Sequence, residues 1–195
     1  MAAPSLFERT GIPRLAKDLL RRRDRFRQFV GIALMIFLSI MGRPVENFFQ
    51  VGAVLVLIGV VFRLWASGHI VKNKELADSG PYALVRHPLY TGNFLITVGI
   101  CPASGLWWSV PVMLAFWLFF YPSTIKHEDG KLHAKFGEVW EKWSAQTPAL
   151  IPNFRLHGRK IGGRWSFSQC TWVNGEPLIA LVVLVCLAYL AYKLA

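Results

Sequence analysis

Residues 48–65 read FFQVGAVLVLIGVVFRLW, eighteen positions in which Arg63 is the single charge. A helix of this length, with some tilt or flanking aromatic residues, can cross a hydrocarbon core of about 30 Å. Three further segments of comparable length and one shorter segment share this apolar character: residues 26–41, 106–121, 177–194 and, the shorter, 89–101. The sequence therefore predicts an all-α, polytopic integral membrane protein with about five transmembrane helices.

The composition supports the membrane class. Hydrophobic residues make up 54% of the 195 positions, and the mean hydropathy is +0.39, whereas soluble domains have about 45–50% apolar residues. The net charge of +11 could indicate a nucleic-acid partner, but Lys and Arg cluster between the apolar runs, as they do in cytoplasmic membrane loops. We expect membrane lipids, and no nucleic acid, as partners.

The cysteines and the start of the chain exclude two further classes. Cys101, Cys170 and Cys186 are odd in number and far apart, so we predict neither a disulfide framework nor a CxxC metal site. The histidines show no metal-ligand spacing, and we predict no metal. The first thirteen residues lack the apolar core of a cleavable signal peptide, so we expect this segment to be retained.

The distribution of basic residues predicts the topology. Short breaks at residues 42–44 and 102–105 predict two helical hairpins. Lys and Arg concentrate in three polar regions, residues 14–27, 72–86 and 126–164, whereas the turns on the opposite side hold only Arg43. The positive-inside rule then predicts five crossings with a cytoplasmic N-terminus and a cytoplasmic C-terminal catalytic helix region.

We divide the chain into three parts. Residues 1–67 form a basic N-terminal segment with the first hairpin, residues 68–154 form the core, and residues 155–195 form a linker with the last helix. The short chain and the lack of an evident retention signal favour a bacterial inner membrane over the endoplasmic reticulum.

Residues 79–92, SGPYALVRHPLYTG, lead directly into a predicted membrane helix. Pro88 suits the first turn of that helix, where free N–H groups form an electropositive end. Arg86 and His87 lie beside this end, and together with Tyr82 and Tyr90 they indicate a site, because polar groups are costly at a bilayer. The alternative is an ordinary loop whose arginine reaches the lipid headgroups.

Two residues inside the predicted helices also need an explanation. Gly92 leaves room one turn into its helix for a flat ring or another backbone. Arg63 lies near the cytoplasmic end of its helix, where we expect its side chain to extend to the interface, the alternative being that it faces the site.

Residues 121–152 predict a helix that projects from the fourth crossing into the cytosol. Five apolar residues form one stripe along it: Leu132, Phe136, Val139, Trp140 and Trp143. Glu128 shares this face, and a carboxylate pointing inward near the membrane needs a cationic partner. An amino-acid ammonium group would serve, and the alternative is a weak pair with Lys131.

Three elements together resemble a known family: Gly80-Pro81-Tyr82, the run Arg86-His87-Pro88-Leu89-Tyr90-Thr91-Gly92, and Glu128 nine residues before Gly137. They are similar to the isoprenylcysteine carboxyl methyltransferase and phospholipid methyltransferase superfamily over about residues 68–152. The resemblance implies S-adenosyl-L-methionine as the cofactor, held in a cytoplasmic pocket. It also implies a lipophilic or membrane-associated acceptor, such as a phospholipid amine, a lipid carboxylate or hydroxyl, or a thiol.

The resemblance implies roles for individual residues. Glu128 matches the carboxylate that holds the methionine ammonium, and Arg86 and His87 are the candidate catalytic residues, with Arg86 orienting the acceptor. The implied cofactor contacts are Lys74, Glu75, Leu76, Ala77, Tyr82, His87, Pro88, Leu89, Tyr90 and Glu128. Thr124 stands where prenylcysteine enzymes place an arginine that binds the substrate carboxylate, so we do not expect a prenylcysteine substrate.

Two other functions fit parts of the sequence. Sterol and steroid reductases share the membrane architecture and a related Arg-His-x-x-Tyr-x-Gly element while using NADPH. They carry an aromatic-rich run before the Arg-His, where this chain has Gly80-Pro81-Tyr82-Ala83. A non-catalytic lipid-binding membrane protein is the second alternative, and it would leave Glu128 without a ligand.

Overall fold

The structure is a computed structural model that describes residues 14–70, 75–154, 162–173 and 175–195. The regular elements within these ranges are all helical, which confirms the all-α part of the predicted fold class for the described residues. The helices are α1 (Arg14–Met41), α2 (Glu46–Ser67), α3 (Pro88–Ser104), α4 (Ser109–Phe136), α5 (Glu138–Gln146) and α6 (Glu176–Leu194). A 3-10 turn spans Gly80–Ala83, and a π-helical segment spans Gln169–Val173.

Two of these helices are long and apolar enough to cross a membrane. The mean hydropathy of their most apolar windows is 2.1 for α2 and 2.2 for α6. Large apolar side chains point outward from both, among them Val51, Val61, Leu178 and Val185. Contiguous exposed apolar surface of this kind marks contact with lipid rather than with water. The chain is therefore a membrane protein.

The closest helix pair is α2 with α3, and glycines on both helices explain it. A Cβ atom at Gly99 would lie 2.6 Å from the carbonyl oxygen of Gly52, and one at Gly59 would lie 2.8 Å from that of Gly92. Small residues at matched positions let helix backbones approach closely inside a membrane. Gly92 thus makes room for another backbone, one of the two possibilities that the sequence left open.

The prediction that the first two helices pack against each other as a hairpin is wrong. Helices α1 and α2 are joined by the expected short break, but α1 packs mainly on α3, α4 and α6. The physical reason is that the glycine face of α2 is already occupied by α3. Helix α1 also begins at Arg14, well before the apolar run that starts at Phe26.

The turns of the bundle meet at one end. The backbone N–H of Arg43 donates to the carbonyl of Ser104 at 2.7 Å. At the same end, the Lys193 ammonium donates to the carbonyls of Ile40 and Gly42 at 2.8 and 2.6 Å. The last helix therefore runs from the opposite end of the bundle, where Glu176 lies, to the end that carries both turns.

Arg63 does not extend to the interface, and this expectation was wrong. Its guanidinium donates to both carboxylate oxygens of Glu176, from Nε at 3.0 Å and from Nη2 at 2.8 Å, and both side chains are buried. It also donates to the carbonyl of Leu89 and to the side chain of Asn93. This pair ties α6 to α2 and α3. Pro177 lies in the first turn of α6, which follows Gly175 at the N-cap position.

The extension that was predicted after the fourth crossing consists of two helices rather than one. Helix α4 continues without a break from the bundle to Phe136, and Gly137 then adopts φ 52°, which ends it. The predicted apolar stripe is therefore wrong beyond Phe136. Val139 is 63% exposed instead of packed. The chain changes direction at Gly137, so Val139 does not continue the residue spacing of α4.

Candidate active site

The loop before α3 is held by the segment that follows α5. The backbone N–H groups of Arg86 and His87 donate to the carbonyls of Pro148 and Ala149 at 2.8 and 3.1 Å. Four residues after His87, inside α3, the hydroxyl of Thr91 donates to the carbonyl of Leu150 at 2.7 Å. The backbone that carries the predicted site residues is thus fixed by hydrogen bonds on both sides of the helix start.

His87 occupies the N-cap position of α3, and Pro88 opens the helix as predicted. The imidazole is buried and lies between two carboxylates of α4. Its Nε2 atom is 3.0 Å from Oδ1 of Asp129, and its Nδ1 atom is 3.6 Å from Oε2 of Glu128. The structure thus brings His87 and Glu128 together, although 41 residues separate them in the sequence.

Asp129 connects the two candidate catalytic residues. Besides contacting His87, it accepts a salt bridge from Nη1 of Arg86 at 3.1 Å. The Arg86 guanidinium also lies over the Trp140 ring, 5.8 Å from its centroid. One carboxylate therefore orients both cationic side chains at the start of α3.

Tyr90 extends this cluster into the bundle. Its ring stacks on His87 with a centroid distance of 5.5 Å and meets Tyr121 edge-on at 5.4 Å. Its hydroxyl also helps to lower the pKa of Glu128. Tyr90 is therefore the side chain through which the polar cluster contacts the aromatic core.

The charges in the cluster stabilise one another. Burial alone would lower the pKa of His87, but hydrogen bonds to Asp129 and Glu128 outweigh it and raise this pKa above the ordinary value. Burial would raise the pKa of Glu128, but the hydrogen bond and charge of His87 outweigh it and lower this pKa. The two carboxylates therefore favour the protonated form of His87, and His87 favours the ionised form of Glu128.

Glu128 is the most accessible member of the cluster. Its side chain is 42% exposed, compared with 5% for His87 and 17% for Asp129. The sequence placed Glu128 on a buried face, whereas the structure leaves one side of the carboxylate open. A second cation could therefore reach it.

The other predicted cofactor contacts lie in the 3-10 turn, in the first turn of α3 and in the segment before the 3-10 turn. Tyr82 is buried in the 3-10 turn, where burial, followed by the charges of Glu128 and Glu176, raises its pKa well above the ordinary value. Pro88 and Leu89 form the first turn of α3, and Leu89 contributes a carbonyl to Arg63. Three residues lie in the irregular segment before the 3-10 turn: Glu75, Leu76 and Ala77. Lys74 lies outside the described residues.

Sequence reasoning missed Asp129 and misjudged the tryptophans of α5. Asp129 directly follows Glu128, and this adjacency was the available signal, since a second carboxylate one position on faces about 100° around the helix. Trp140 and Trp143 were interpreted as packing residues. Their indole Nε1 atoms and Nε of Arg86 are buried and lack a hydrogen-bond partner among the described residues.

No group of three or more His, Cys, Asp or Glu residues is arranged to hold a metal ion within the described ranges. The absence of a metal stays a prediction, because part of the chain lies outside those ranges.

Comparisons with known proteins match the central part of the chain. Residues 50–134 match the isoprenylcysteine carboxyl methyltransferase family. This segment contains most of α2, all of α3, most of α4, and both His87 and Glu128. It begins earlier than the resemblance noted in the sequence, and it ends before Gly137.

Several curated proteins are similar to the chain. A nickel-cobalt-cadmium resistance protein of Alcaligenes xylosoxydans xylosoxydans is 37% identical over 54% of this chain and 50% of its own length. The protein-S-isoprenylcysteine O-methyltransferase of Xenopus laevis is 32% identical over 52% of this chain and 40% of its own length. The methanethiol S-methyltransferase of Crocosphaera subtropica is 29% identical over 63% of this chain and 52% of its own length.

The chain spans about half the length of the curated relatives it matches. No solved structure matches it. The segment that carries the His87 and Glu128 cluster lies within the family match. Over residues 50–134 the chain is therefore similar to the isoprenylcysteine carboxyl methyltransferase family.

Proposed function

We propose that this protein transfers a methyl group from S-adenosyl-L-methionine to a lipophilic, membrane-associated acceptor. The observation that carries the proposal is the half-exposed Glu128 carboxylate on α4, which interacts with His87 and Tyr90 at the start of α3. All three residues lie inside the segment that matches the family. A rigid carboxylate that keeps one open side is suited to an ammonium group.

The residues present fit such a cofactor. Glu128 would hold the ammonium of the methionine moiety. Arg86, Trp140 and Trp143 each have a buried N–H group without an acceptor among the described residues, and a ligand rich in oxygen and nitrogen acceptors would satisfy them. When bound, the cofactor supplies an activated methyl on a sulfonium.

The chain's own contribution is positioning. His87 is flanked by two carboxylates, which raise its pKa and favour its protonated form, and its ring lies where it aligns the Glu128 carboxylate. Arg86, oriented by Asp129, remains our candidate for aligning the acceptor. Alignment in a site that excludes water is sufficient when the donor is already activated.

We also propose five membrane crossings with a cytoplasmic N-terminus. The placement of the turns supports this topology, since Arg43 and Ser104 meet at one end of the bundle. The 3-10 turn, the cytosolic extension of α4 and Glu176 lie toward the other end. That end faces the cytoplasm in the proposal, and a bacterial inner membrane is the favoured location.

The acceptor class is lipophilic, because the start of α3 connects the polar cluster directly to helices with exposed apolar faces. The relatives' names include an isoprenylcysteine and a methanethiol acceptor, and a phospholipid amine or a lipid carboxylate also fits. Neither the NADPH-dependent reductase nor the non-catalytic alternative gains support from the comparisons.

Calorimetric binding of S-adenosylhomocysteine to the purified chain in an uncharged detergent tests the proposal. Saturable binding is expected, and Glu128→Gln should weaken it about 10- to 100-fold, the loss typical of a charged hydrogen bond. Glu138→Gln is the matched control, because Glu138 is 85% exposed on α5, and it should bind normally.

The same experiment separates the alternatives. NADPH binding without S-adenosylhomocysteine binding would favour the reductase. Binding of neither would favour the non-catalytic protein.

A further inference from the structure

Arg27 is a buried arginine that the family match does not cover. It lies on α1, before residues 50–134, and only 6% of its surface is exposed. Its guanidinium carbon lies over two tyrosine rings, 5.3 Å from the Tyr90 centroid and 5.1 Å from the Tyr121 centroid. These aromatic faces favour a cation electrostatically, but they provide no negative charge.

Comparison with the other arginines of the bundle shows what Arg27 lacks. Arg63 forms a close ion pair with the buried Glu176, and Arg86 has Asp129 at 3.1 Å. Among the residues that the structure describes, the carboxylate paired with Arg27 is Asp24, at 4.0 Å and with a side chain that is 38% exposed. Moreover, Nε of Arg27 is buried and has no hydrogen-bond partner among the described residues. Burial of a cation without a close counter-ion is unfavourable unless a ligand supplies one.

The position of Arg27 relates it to the active site. Tyr90, whose ring faces the Arg27 guanidinium, also stacks on His87, and its hydroxyl helps to lower the pKa of Glu128. Arg27 and the Glu128 carboxylate are therefore two groups of opposite charge in contact with the same aromatic side chain. A cofactor at Glu128 and an anion at Arg27 would be separated by little more than this ring.

The surroundings of Arg27 indicate an amphiphilic ligand. Phe26 and Phe29 on the same helix are 58% and 69% exposed, and these apolar side chains face the lipid. Arg27 therefore lies where an acyl or prenyl chain can approach from the bilayer while its headgroup meets the guanidinium. Arginine pairs well with carboxylate and phosphate, because its planar donors match two oxygens at once.

We propose that Arg27 binds the anionic oxygen headgroup, carboxylate or phosphate, of the lipophilic acceptor. This deepens the proposed function and rests on it, since it identifies the acceptor as an anionic amphiphile rather than a neutral one. Arg27 is then a specificity-determining residue supplied by the N-terminal helix.

Three probes of equal chain length test the proposal: dodecanoate, dodecyl phosphate and dodecanol. Binding to the full chain in an uncharged maltoside detergent is followed by tryptophan fluorescence at fixed ionic strength. At least one anion should bind about tenfold or more tightly than dodecanol, as expected for a charged hydrogen bond. The tighter of the two anions distinguishes a carboxylate headgroup from a phosphate one.

Variants assign the preference to Arg27. Arg27→Gln should lower the affinity for the preferred anion to about that for dodecanol, while Arg27→Lys should retain part of the preference. Arg25→Gln, an exposed arginine on the same helix, should change nothing. If Arg27→Gln fails to fold, the inference is tested by the wild-type chain and Arg27→Lys alone. The wild-type chain should then prefer the anion, and Arg27→Lys should retain only part of that preference.

Equal affinity of the wild-type chain for the anions and for dodecanol would overturn the inference, as would a preference that survives in Arg27→Gln. S-adenosylhomocysteine binding is measured on the same samples and should be unchanged in Arg27→Gln. Cofactor binding without anion preference removes only the role of Arg27, whereas an Arg27-dependent anion preference without cofactor binding removes the methyltransferase proposal.

Discussion

His87 donates through Nε2 to Asp129 at 3.0 Å, and the same carboxylate accepts the salt bridge from Arg86 at 3.1 Å. Two neighbouring basic residues at the start of α3 thus share one acidic partner on α4. The arrangement couples the loop before α3 to α4, and its strength can be measured directly.

Asp129→Asn should destabilise the folded chain by about 1.5–3 kcal/mol, because hydrogen bonds to charged groups contribute about that much. Thermal unfolding in detergent, followed by near-ultraviolet circular dichroism, measures the change. Glu141→Gln is the control, since Glu141 pairs with His133 at the exposed surface and such pairs contribute about 0–1 kcal/mol. Equal shifts in both variants would contradict a special role for Asp129.

Stability should depend on pH in two directions. The raised pKa of His87 means that the imidazolium contributes fully below its ordinary value of 6.5, and that this contribution is lost as the pH rises through the raised value. The lowered pKa of Glu128 means that its carboxylate contributes above the ordinary value of 4.5, and that this is lost as the pH falls through the lowered value.

The melting temperature should therefore be highest between about pH 4.5 and pH 6.5, the ordinary pKa values of Glu128 and His87. His87→Gln should remove the alkaline decline, and Glu128→Gln should reduce the acidic one. Melting curves across the pH range check both. An alkaline decline that is unchanged in His87→Gln would assign it to another group.

Glu176→Ala should strongly destabilise the chain, because it leaves the Arg63 guanidinium buried without its counter-ion. Removal of one member of a buried ion pair costs about 3–5 kcal/mol. The double variant Arg63→Met with Glu176→Leu should recover much of this loss, since two apolar side chains need no partner there. The melting temperatures of Glu176→Ala and of the double variant are compared. Similar values for both would show that the unpaired Arg63 guanidinium is not what destabilises Glu176→Ala.

Gly99→Val should separate α2 from α3, because even a Cβ at Gly99 would lie 2.6 Å from the carbonyl oxygen of Gly52. Overpacking of this kind costs about 1–3 kcal/mol. Gly130→Ala is the opposite case, since nothing lies within 4 Å of a Cβ there and alanine favours a helix by about 1 kcal/mol over glycine. The two melting temperatures should therefore move in opposite directions.

The sequence predicted the features that depend on local chemistry. The apolar runs predicted helices at each of the five expected places, and Pro88 marked the start of α3. The proximity of His87 and Glu128 followed from the resemblance, because both belong to motifs of the same family. These features require only helix periodicity, a helix-start signal and a recognisable spacing.

The features that depend on distant pairing could not be predicted. Nothing near Arg63 in the sequence indicates Glu176 as its partner, and nothing near Arg27 indicates the rings of Tyr90 and Tyr121. The break at Gly137 was missed because the apolar residues after it keep a helical spacing by chance. In each case the outcome was decided by which helix faces meet, and one sequence does not state that.

The ion pair between Arg63 and Glu176 also has a consequence for biosynthesis. The two residues are 113 positions apart, so at about 5–20 residues per second the ribosome needs roughly 5–25 s to make the second after the first. During that interval α2 has its arginine but not its final partner. A nascent chain that stalls before Glu176 would keep this charge unneutralised in the membrane, and quality-control proteases could recognise it as unfinished.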